Sequence, residues 1–185
     1  MPVVTGLDIL DAYFSDATVT VPAGVQIADI WAVGAGGSGT TGLIPAGGGS
    51  GGIAYKQFTV LPGDWDTSLT VVVGQGAVGA DGGDSTVDGA LNGASFAQLK
   101  GGGGKKAVTG TGGAGGTASG GDVNTDGTPG DSWDNETQTP GLGGTIQNET
   151  LAGMVDNETF AAGGNGDFND QFAGFGGFVI IWWRN

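Results

Sequence analysis

The chain has 185 residues, of which 43 are glycine, and its 19 acidic and 5 basic residues give a formal net charge of −14. Residues 107–183 contain no Lys or Arg, so no basic surface there can follow a phosphate backbone, and we expect no nucleic-acid partner. No apolar run approaches the roughly 20 residues of a membrane span, and Met1–Gly6 lacks the positive charge of a signal peptide. We therefore expect neither membrane insertion nor a signal peptide.

The domain organisation follows from the composition. A hydrophobic fraction of 38% and five tryptophans are sufficient for one core at this length. Cysteine is absent, so the chain has no disulfide framework and no thiolate metal site. We predict a short N-terminal arm at residues 1–16 and a single glycine-rich domain at residues 17–185.

The apolar runs are short and end at Pro or Gly, which is typical of strands. They are, in chain order, Thr18–Val21, Val25–Val33, Ile53–Val60, Leu69–Val73 and Phe178–Trp183. Because Val25–Val33 is apolar on both faces, we expect it to be covered on both sides. No segment has a convincing helical period. The sequence predicts an all-β fold, a small antiparallel β-sandwich or jelly roll, with the first and last runs paired in one sheet.

The glycines form imperfect runs from Gly74 to Gly177, for example at 101–104 and 112–116. The runs lack a Gly-X-Y period, which excludes collagen. Two interpretations remain open. The runs are either long flexible loops or packed segments that resemble polyproline II, whose backbones approach closely because glycine has no side chain. A disordered block of this length is uncommon inside one small domain, which favours the packed interpretation.

Catalytic and nucleotide-binding motifs are weak. The chain has no His for a general base and no Cys nucleophile, and most carboxylates stand beside glycine in turn-like sequence, so we expect no enzymatic activity. Residues 34–39 satisfy the dinucleotide pattern G-x-G-x-x-G. That pattern needs a helix to follow it, and residues 40–47 cannot form one.

A calcium-loop pattern, D-x-[DN]-x-[DN]-G, occupies residues 122–127. Trp133 stands at the twelfth position, where an EF-hand has its bidentate Glu, and no helices flank the loop, so an EF-hand is excluded. A calcium site of another kind could recruit a carboxylate from the following segment. Its candidate ligands are Asp122, Asn124, Asp126 and Asp131. The alternative, which the turn-like composition favours, is an ordinary Asx-rich turn without metal.

Candidate recognition residues come from a repeated tripeptide and from isolated aromatics. Asn-Glu-Thr occurs three times, either as a repeated local turn or as three loops that display acidic and amide groups to a partner. Two tryptophans lie outside the apolar runs, where they either contact sugars or proteins or cap the edge of the core. The candidates are Trp65, Trp133, Asn135, Asn148 and Asn157.

The order of several short motifs resembles a known family. Thr18–Val25 followed by Ile30–Gly39 resembles the opening of the glycine-rich domains found in phage tail-fibre and other virion surface proteins. The later motifs follow in the same order, at Val60–Gly63, Val71–Gly76, Asp81–Thr86 and Gly176–Trp182. The resemblance covers residues 17–183.

The resemblance implies a β-rich, often trimeric, non-enzymatic module on the virion surface, made in the host cytoplasm. We expect a fibre-associated host-recognition protein, with other virion proteins and a host cell-surface receptor as partners and with calcium as the candidate cofactor. The first alternative is a capsid decoration or head-fibre protein. The second is a free glycine-rich protein that binds ice or carbohydrate, although the irregular threonine spacing counts against a flat ice-binding face.

Overall fold

The computed structural model describes residues 8–145 and 161–185. These residues form twelve β-strands and no helix. The strands are β1 Asp8–Tyr13, β2 Ala17–Thr20, β3 Ile27–Val33, β4 Ile53–Thr59, β5 Ser68–Val72, β6 Ser85–Asp88, β7 Ala90–Leu91, β8 Ala94–Ser95, β9 Leu99–Gly101, β10 Ala118–Ser119, β11 Val123–Thr125 and β12 Phe178–Arg184.

Two antiparallel five-stranded sheets pack face to face, with the strand orders β1-β12-β3-β4-β11 and β10-β9-β6-β5-β2. Strands β7 and β8 form a separate hairpin. Apolar side chains from both sheets fill the space between them, among them Ile30, Leu69, Val71, Leu99, Ile181 and Trp183. The predicted all-β antiparallel sandwich is confirmed. The five predicted apolar runs correspond to β2, β3, β4, β5 and β12.

Strand β3 is buried on both faces, as its sequence predicted. Ile30 and Ala32 point into the space between the sheets. Trp31 and Val33 lie on the outer face of the first sheet, where they pack with Phe178 and other apolar residues in a second cluster. A strand with two buried faces needs apolar residues at successive positions, which explains the continuous apolar run.

The strand pairing at the chain ends corrects one prediction. Strand β12 lies between β1 and β3, with Asp8 opposite Arg184 and Tyr13 opposite Val179. The first predicted run, β2, pairs with β5 in the other sheet, so the expectation that it shares a sheet with β12 is wrong. Strand β1 was not predicted, because it is an edge strand that carries aspartates and alternates between exposed and half-buried residues. The predicted N-terminal arm therefore includes a strand.

A bundle of glycine-rich segments extends from one end of the sandwich. Ten such segments are found in the described residues, at 34–40, 46–52, 74–76, 80–83, 101–107, 112–117, 127–131, 141–144, 161–166 and 172–177. Hydrogen bonds between backbones link each segment to its neighbours. These bonds replace the regular strand ladders of the sandwich and satisfy the backbone polar groups.

The 34–40 segment lies near the centre of the bundle, and its hydrogen bonds repeat every three residues. The N–H groups of Gly34, Gly37 and Thr40 donate to the 46–52 segment, those of Ala35 and Ser38 to the 80–83 segment, and those of Gly36 and Gly39 to the 172–177 segment. Three residues per turn is the geometry of polyproline II. The packed interpretation of the glycine runs therefore describes the structure, and the flexible-loop interpretation does not.

Close approach of backbones explains the glycine content of the bundle. A Cβ placed on Gly36 would lie closer than 3.0 Å to the backbone of Ala162, and one placed on Gly49 would do the same with Ala114. Real Cβ atoms do not approach backbone atoms so closely. These segments can hydrogen-bond at this spacing because glycine has no side chain.

Candidate functional site

The loops at the end of the bundle farthest from the sandwich form one surface. A polyproline II segment rises about 3.1 Å per residue, so the 34–40 segment carries these loops about 19 Å from the end of β3. We call the surface formed by loops 41–45, 108–111, 132–140 and 167–171 the apical surface. Hydrogen bonds between the loops and from one loop to the bundle hold it together, with Gly110 N donating to Ile44 O (2.9 Å), Trp133 N to Gly110 O (3.3 Å) and Asp167 N to Thr40 O (3.1 Å).

Large apolar side chains are exposed on and beside the apical surface. Leu43 is 90% exposed, Val108 57% and Phe168 48%. The edge of the Trp133 ring packs against Phe168, with the ring centroids 5.7 Å apart. Exposed apolar groups that cluster in this way are typical of surfaces that bind a partner.

A groove of about 520 Å³ opens beside these side chains. It is lined by Asp131, Ser132, Asp134, Thr139, Pro140, Gly141 and Leu142. The Asp134 carboxylate accepts hydrogen bonds from the Thr137 hydroxyl (2.6 Å) and from the backbone N–H groups of Thr137 (3.3 Å) and Glu136 (2.8 Å). These bonds, led by the one from the Thr137 hydroxyl, lower the pKa of Asp134. Its charge therefore helps to order the turn that forms the rim of the groove.

The apical surface is negatively charged. Its four loops contain Asp134, Glu136, Asp167 and Asp170 and no Lys or Arg. Four basic residues form ion pairs with carboxylates outside these loops, as Lys56–Asp122, Lys100–Asp84, Lys105–Asp81 and Arg184–Asp29. The fifth, Lys106, is exposed two residues before loop 108–111. A ligand of this surface would therefore meet apolar groups together with four carboxylates that no basic residue of the same loops neutralises.

The predicted recognition residues fall in different places. Trp133 and Asn135 lie in the apical surface. Trp65 follows β4 at the opposite end of the sandwich, where it packs against the core and its Nε1 donates to the Val25 carbonyl (3.1 Å). Trp65 thus has the core-capping position that was the alternative interpretation. Asn148 and Asn157 lie outside the described residues.

The predicted calcium ligands Asp122, Asn124 and Asp126 all accept hydrogen bonds within the protein. Asp122 accepts from Lys56 Nζ (3.2 Å) and more weakly from the Gln57 N–H (3.4 Å). The other two accept from the backbone N–H groups of Gly121 (3.1 Å) and Ala118 (3.0 Å), respectively.

Asp131 lies apart from the other predicted calcium ligands. It is five residues beyond Asp126 along an extended segment, which places it about 15 Å away. Within residues 8–145 and 161–185, no three His, Cys, Asp or Glu side chains are grouped as metal ligands. The structure therefore does not bring Asp131 to the other candidates, and calcium binding by Asp122, Asn124 and Asp126 stays a prediction.

A buried carboxylate outside the apical surface has a structural explanation. Asp29 is 2% exposed on the outer face of the first sheet, where it pairs with Arg184 and accepts hydrogen bonds from Tyr55 Oη (2.7 Å) and Gln57 Nε2 (2.9 Å). Burial, together with the bond to Asp29, raises the pKa of Tyr55 to about 12. Because its oxygens have donors from three side chains, Asp29 stabilises the sheet face and needs no ligand.

Leu43, Val108 and Phe168 were not predicted from the sequence. Each lies in a short turn-like stretch between glycine runs, outside the apolar runs that form strands. That position is the signal that could have identified them.

Comparison with known proteins gave one family. A family model described as a glycine-rich domain matches residues 12–183. No curated protein matches the chain. Among the described residues, no helix is long and apolar enough to cross a membrane.

Proposed function

The chain belongs to the glycine-rich domain family, and on that premise we propose that it is a non-enzymatic surface protein of a phage particle. It recognises a receptor on the host cell as a fibre-associated module. The apical surface makes the contact, and the sandwich faces the particle.

One observation carries this proposal: the part of the protein that provides stability, the bundle, is separate from the loops that form the exposed surface. The bundle is held together by hydrogen bonds between backbones and by contacts that exclude a Cβ, so it needs few side chains of its own. The apical loops can therefore vary in sequence without loss of the bundle. Variable loops on a rigid scaffold are a common arrangement in recognition proteins.

The chemistry of the apical surface also favours binding over catalysis. Its groove offers carboxylates and hydroxyls, and the chain contains no His or Cys to act as a general base or nucleophile. The exposed Leu43 and the Trp133–Phe168 pair instead provide the apolar contact area that a partner would cover.

Competition for adsorption tests the proposal. Soluble protein is added to host cells before the phage, and the adsorption rate is measured. Wild-type protein is expected to block adsorption. The double variant Leu43→Ser/Phe168→Ser is expected to need at least tenfold more protein, because two large apolar contacts are lost.

A matched control separates recognition from folding. Leu61 and Val123 are exposed on the sandwich (42% and 55%), so Leu61→Ser/Val123→Ser likewise replaces two exposed apolar side chains, but away from the apical surface. This control is expected to block adsorption as well as wild type. Failure of folded wild-type protein to compete, or equal potency of the apical variant, would overturn the proposal.

A further inference from the structure

The hairpin of β7 and β8 turns through two residues, Asn92 and Gly93. Both have positive φ, 57° and 69°, as the type I′ turn of a tight hairpin requires. Asparagine followed by glycine suits this turn because both residues tolerate the left-handed region. The same dipeptide is the one in which asparagine loses ammonia most readily, because glycine has no side chain to hinder its backbone nitrogen.

Deamidation of such a dipeptide needs no enzyme. The Gly93 backbone nitrogen gives up its proton and attacks Asn92 Cγ, and the new N–Cγ bond closes a five-membered succinimide ring. The bond from Cγ to Nδ2 breaks, and Nδ2 leaves as ammonia with the proton that the Gly93 nitrogen lost. Water then opens the ring at either carbonyl, which leaves aspartate or isoaspartate at position 92.

The attacking nitrogen is held by a buried carboxylate. Asp64, in the loop between β4 and β5, is 4% exposed. Its Oδ1 accepts from the Gly93 N–H (3.0 Å), and its Oδ2 accepts from the N–H groups of Asn92 (2.8 Å) and Leu61 (2.8 Å). Asn92 itself is exposed, and its side chain makes no hydrogen bond to another residue of the described ranges. The electrophile is therefore open to solvent, and the nucleophile is not.

The position of Asp64 opposes the first step of the reaction. Negative charge develops on the Gly93 nitrogen as it gives up its proton, and an ionised carboxylate 3.0 Å away repels that charge. The N–H donors around Asp64 favour its ionised form. The turn type also holds ψ of Asn92 at about +30°. Ring closure needs rotation about the Asn92 Cα–C bond, and the two hydrogen bonds to Asp64 resist that rotation.

The chain has one other Asn-Gly dipeptide, Asn165-Gly166, which is held in a different way. The Oδ1 atom of Asn165 accepts from the Gly143 N–H (2.9 Å), and the N–H of the buried Gly166 donates to the Gly141 carbonyl (2.9 Å). Both reacting groups are thus fixed by the backbone of the bundle. Asn165 therefore serves as an internal reference whose protection does not depend on Asp64.

We propose that Asn92 is a deamidation site and that Asp64 controls its reaction. The site stays an asparagine while the carboxylate holds the Gly93 N–H, and it converts when that contact is lost. Isoaspartate adds one carbon to the backbone, so the two-residue turn and its bonds to Asp64 can no longer form. Leu91, which precedes the turn and is 3% exposed in the core, then loses its support. The modification therefore destabilises the end of the sandwich irreversibly.

Peptide mass spectrometry after incubation in mildly alkaline buffer tests the proposal on the purified protein. Asp64→Asn keeps the shape of the side chain and removes its charge. Deamidation at Asn92 is expected to be about tenfold or more faster in this variant than in wild type, because the repulsion is lost. Asn165 is expected to react at the same rate in both proteins. Equal rates at Asn92 in the two proteins, or acceleration at Asn165 to the same degree, would overturn the control by Asp64.

Leu91→Ala is the matched control, because it loosens the same hairpin and keeps the carboxylate. It leaves a cavity beside the turn and lowers stability. All rates are measured at a temperature where circular dichroism shows each protein to be folded. Deamidation at Asn92 is expected to be slower in Leu91→Ala than in Asp64→Asn. An equal or faster rate in Leu91→Ala would assign the protection to the packing of the hairpin and overturn the role of Asp64. None of these measurements depends on receptor binding.

Discussion

Gly36 and Ala162 lie so close together that a Cβ on Gly36 would overlap with the Ala162 carbonyl. The two residues belong to the 34–40 and 161–166 segments, which are far apart in the chain and adjacent in the bundle. The bundle that carries the apical surface depends on many such approaches between backbones.

Substitution of Gly36 by Ala is therefore expected to destabilise the protein severely. The new Cβ forces two backbones apart and breaks their neighbouring hydrogen bonds, at a cost of about 3 kcal/mol or more. Gly63→Ala is the control, because a Cβ there meets nothing within 4 Å, and it is expected to change stability by less than about 0.5 kcal/mol. Urea unfolding measures both. Equal stability of the two variants would contradict the packed bundle.

Replacement by Ala is expected to change the stability of the protein differently at two buried serines. Among the described residues, Ser38 Oγ is buried without a hydrogen-bond partner, so Ser38→Ala removes an unsatisfied group and should leave stability unchanged or raise it by about 1 kcal/mol. Ser50 Oγ accepts from the Thr128 N–H (2.8 Å), so Ser50→Ala should cost about 1 kcal/mol or more. Thermal unfolding measures the stability of both variants. A comparable loss of stability in both would indicate that Ser38 Oγ has a hydrogen-bond partner.

The sequence predicted the sandwich better than the bundle. Apolar runs such as Ile27–Val33 carry a pattern of side chains, and that pattern identifies a strand before its partners are known. Strand β1 alternates between exposed and half-buried residues at a sheet edge, which leaves no comparable run. Glycine has no side chain and therefore no pattern, so the sequence left packed segments and loops as alternatives. The apical surface depends on contacts between distant loops, for example Gly110 with Ile44, which local sequence does not encode.

Asp64 is expected to make stability depend on pH. Burial alone would raise its pKa, but hydrogen bonds from the N–H groups of Leu61, Gly93 and Asn92 outweigh burial and lower it. A carboxyl whose pKa is lower in the folded state stabilises the protein above its unfolded pKa, about 4, and loses that contribution as the pH falls through the folded pKa.

The replacement Asp64→Asn should therefore lower the melting temperature at pH 7, and the difference from wild type should shrink below about pH 4. Thermal unfolding of both proteins at several pH values, from pH 7 to below about pH 4, measures this difference in melting temperature. A difference that is independent of pH would show that the charge of Asp64 has no stabilising role.

The two interpretations of Asp122, Asn124 and Asp126 predict different responses to calcium. If these side chains form an ordinary Asx-rich turn, in which they accept hydrogen bonds from protein donors, the melting temperature should be equal in calcium and in chelator at matched ionic strength. A bound ion would instead add about 2.7 kcal/mol at 100 times its dissociation constant. A calcium-dependent rise that Asp122→Ala abolishes would support the predicted metal site.

Electron cryomicroscopy of intact virions would locate the domain on the particle and show its direction. We expect the sandwich and bundle at a tail fibre, with the apical loops around Leu43 and Trp133 facing away from the particle. Density for the domain on the capsid, or an apical surface packed against another virion protein, would contradict it.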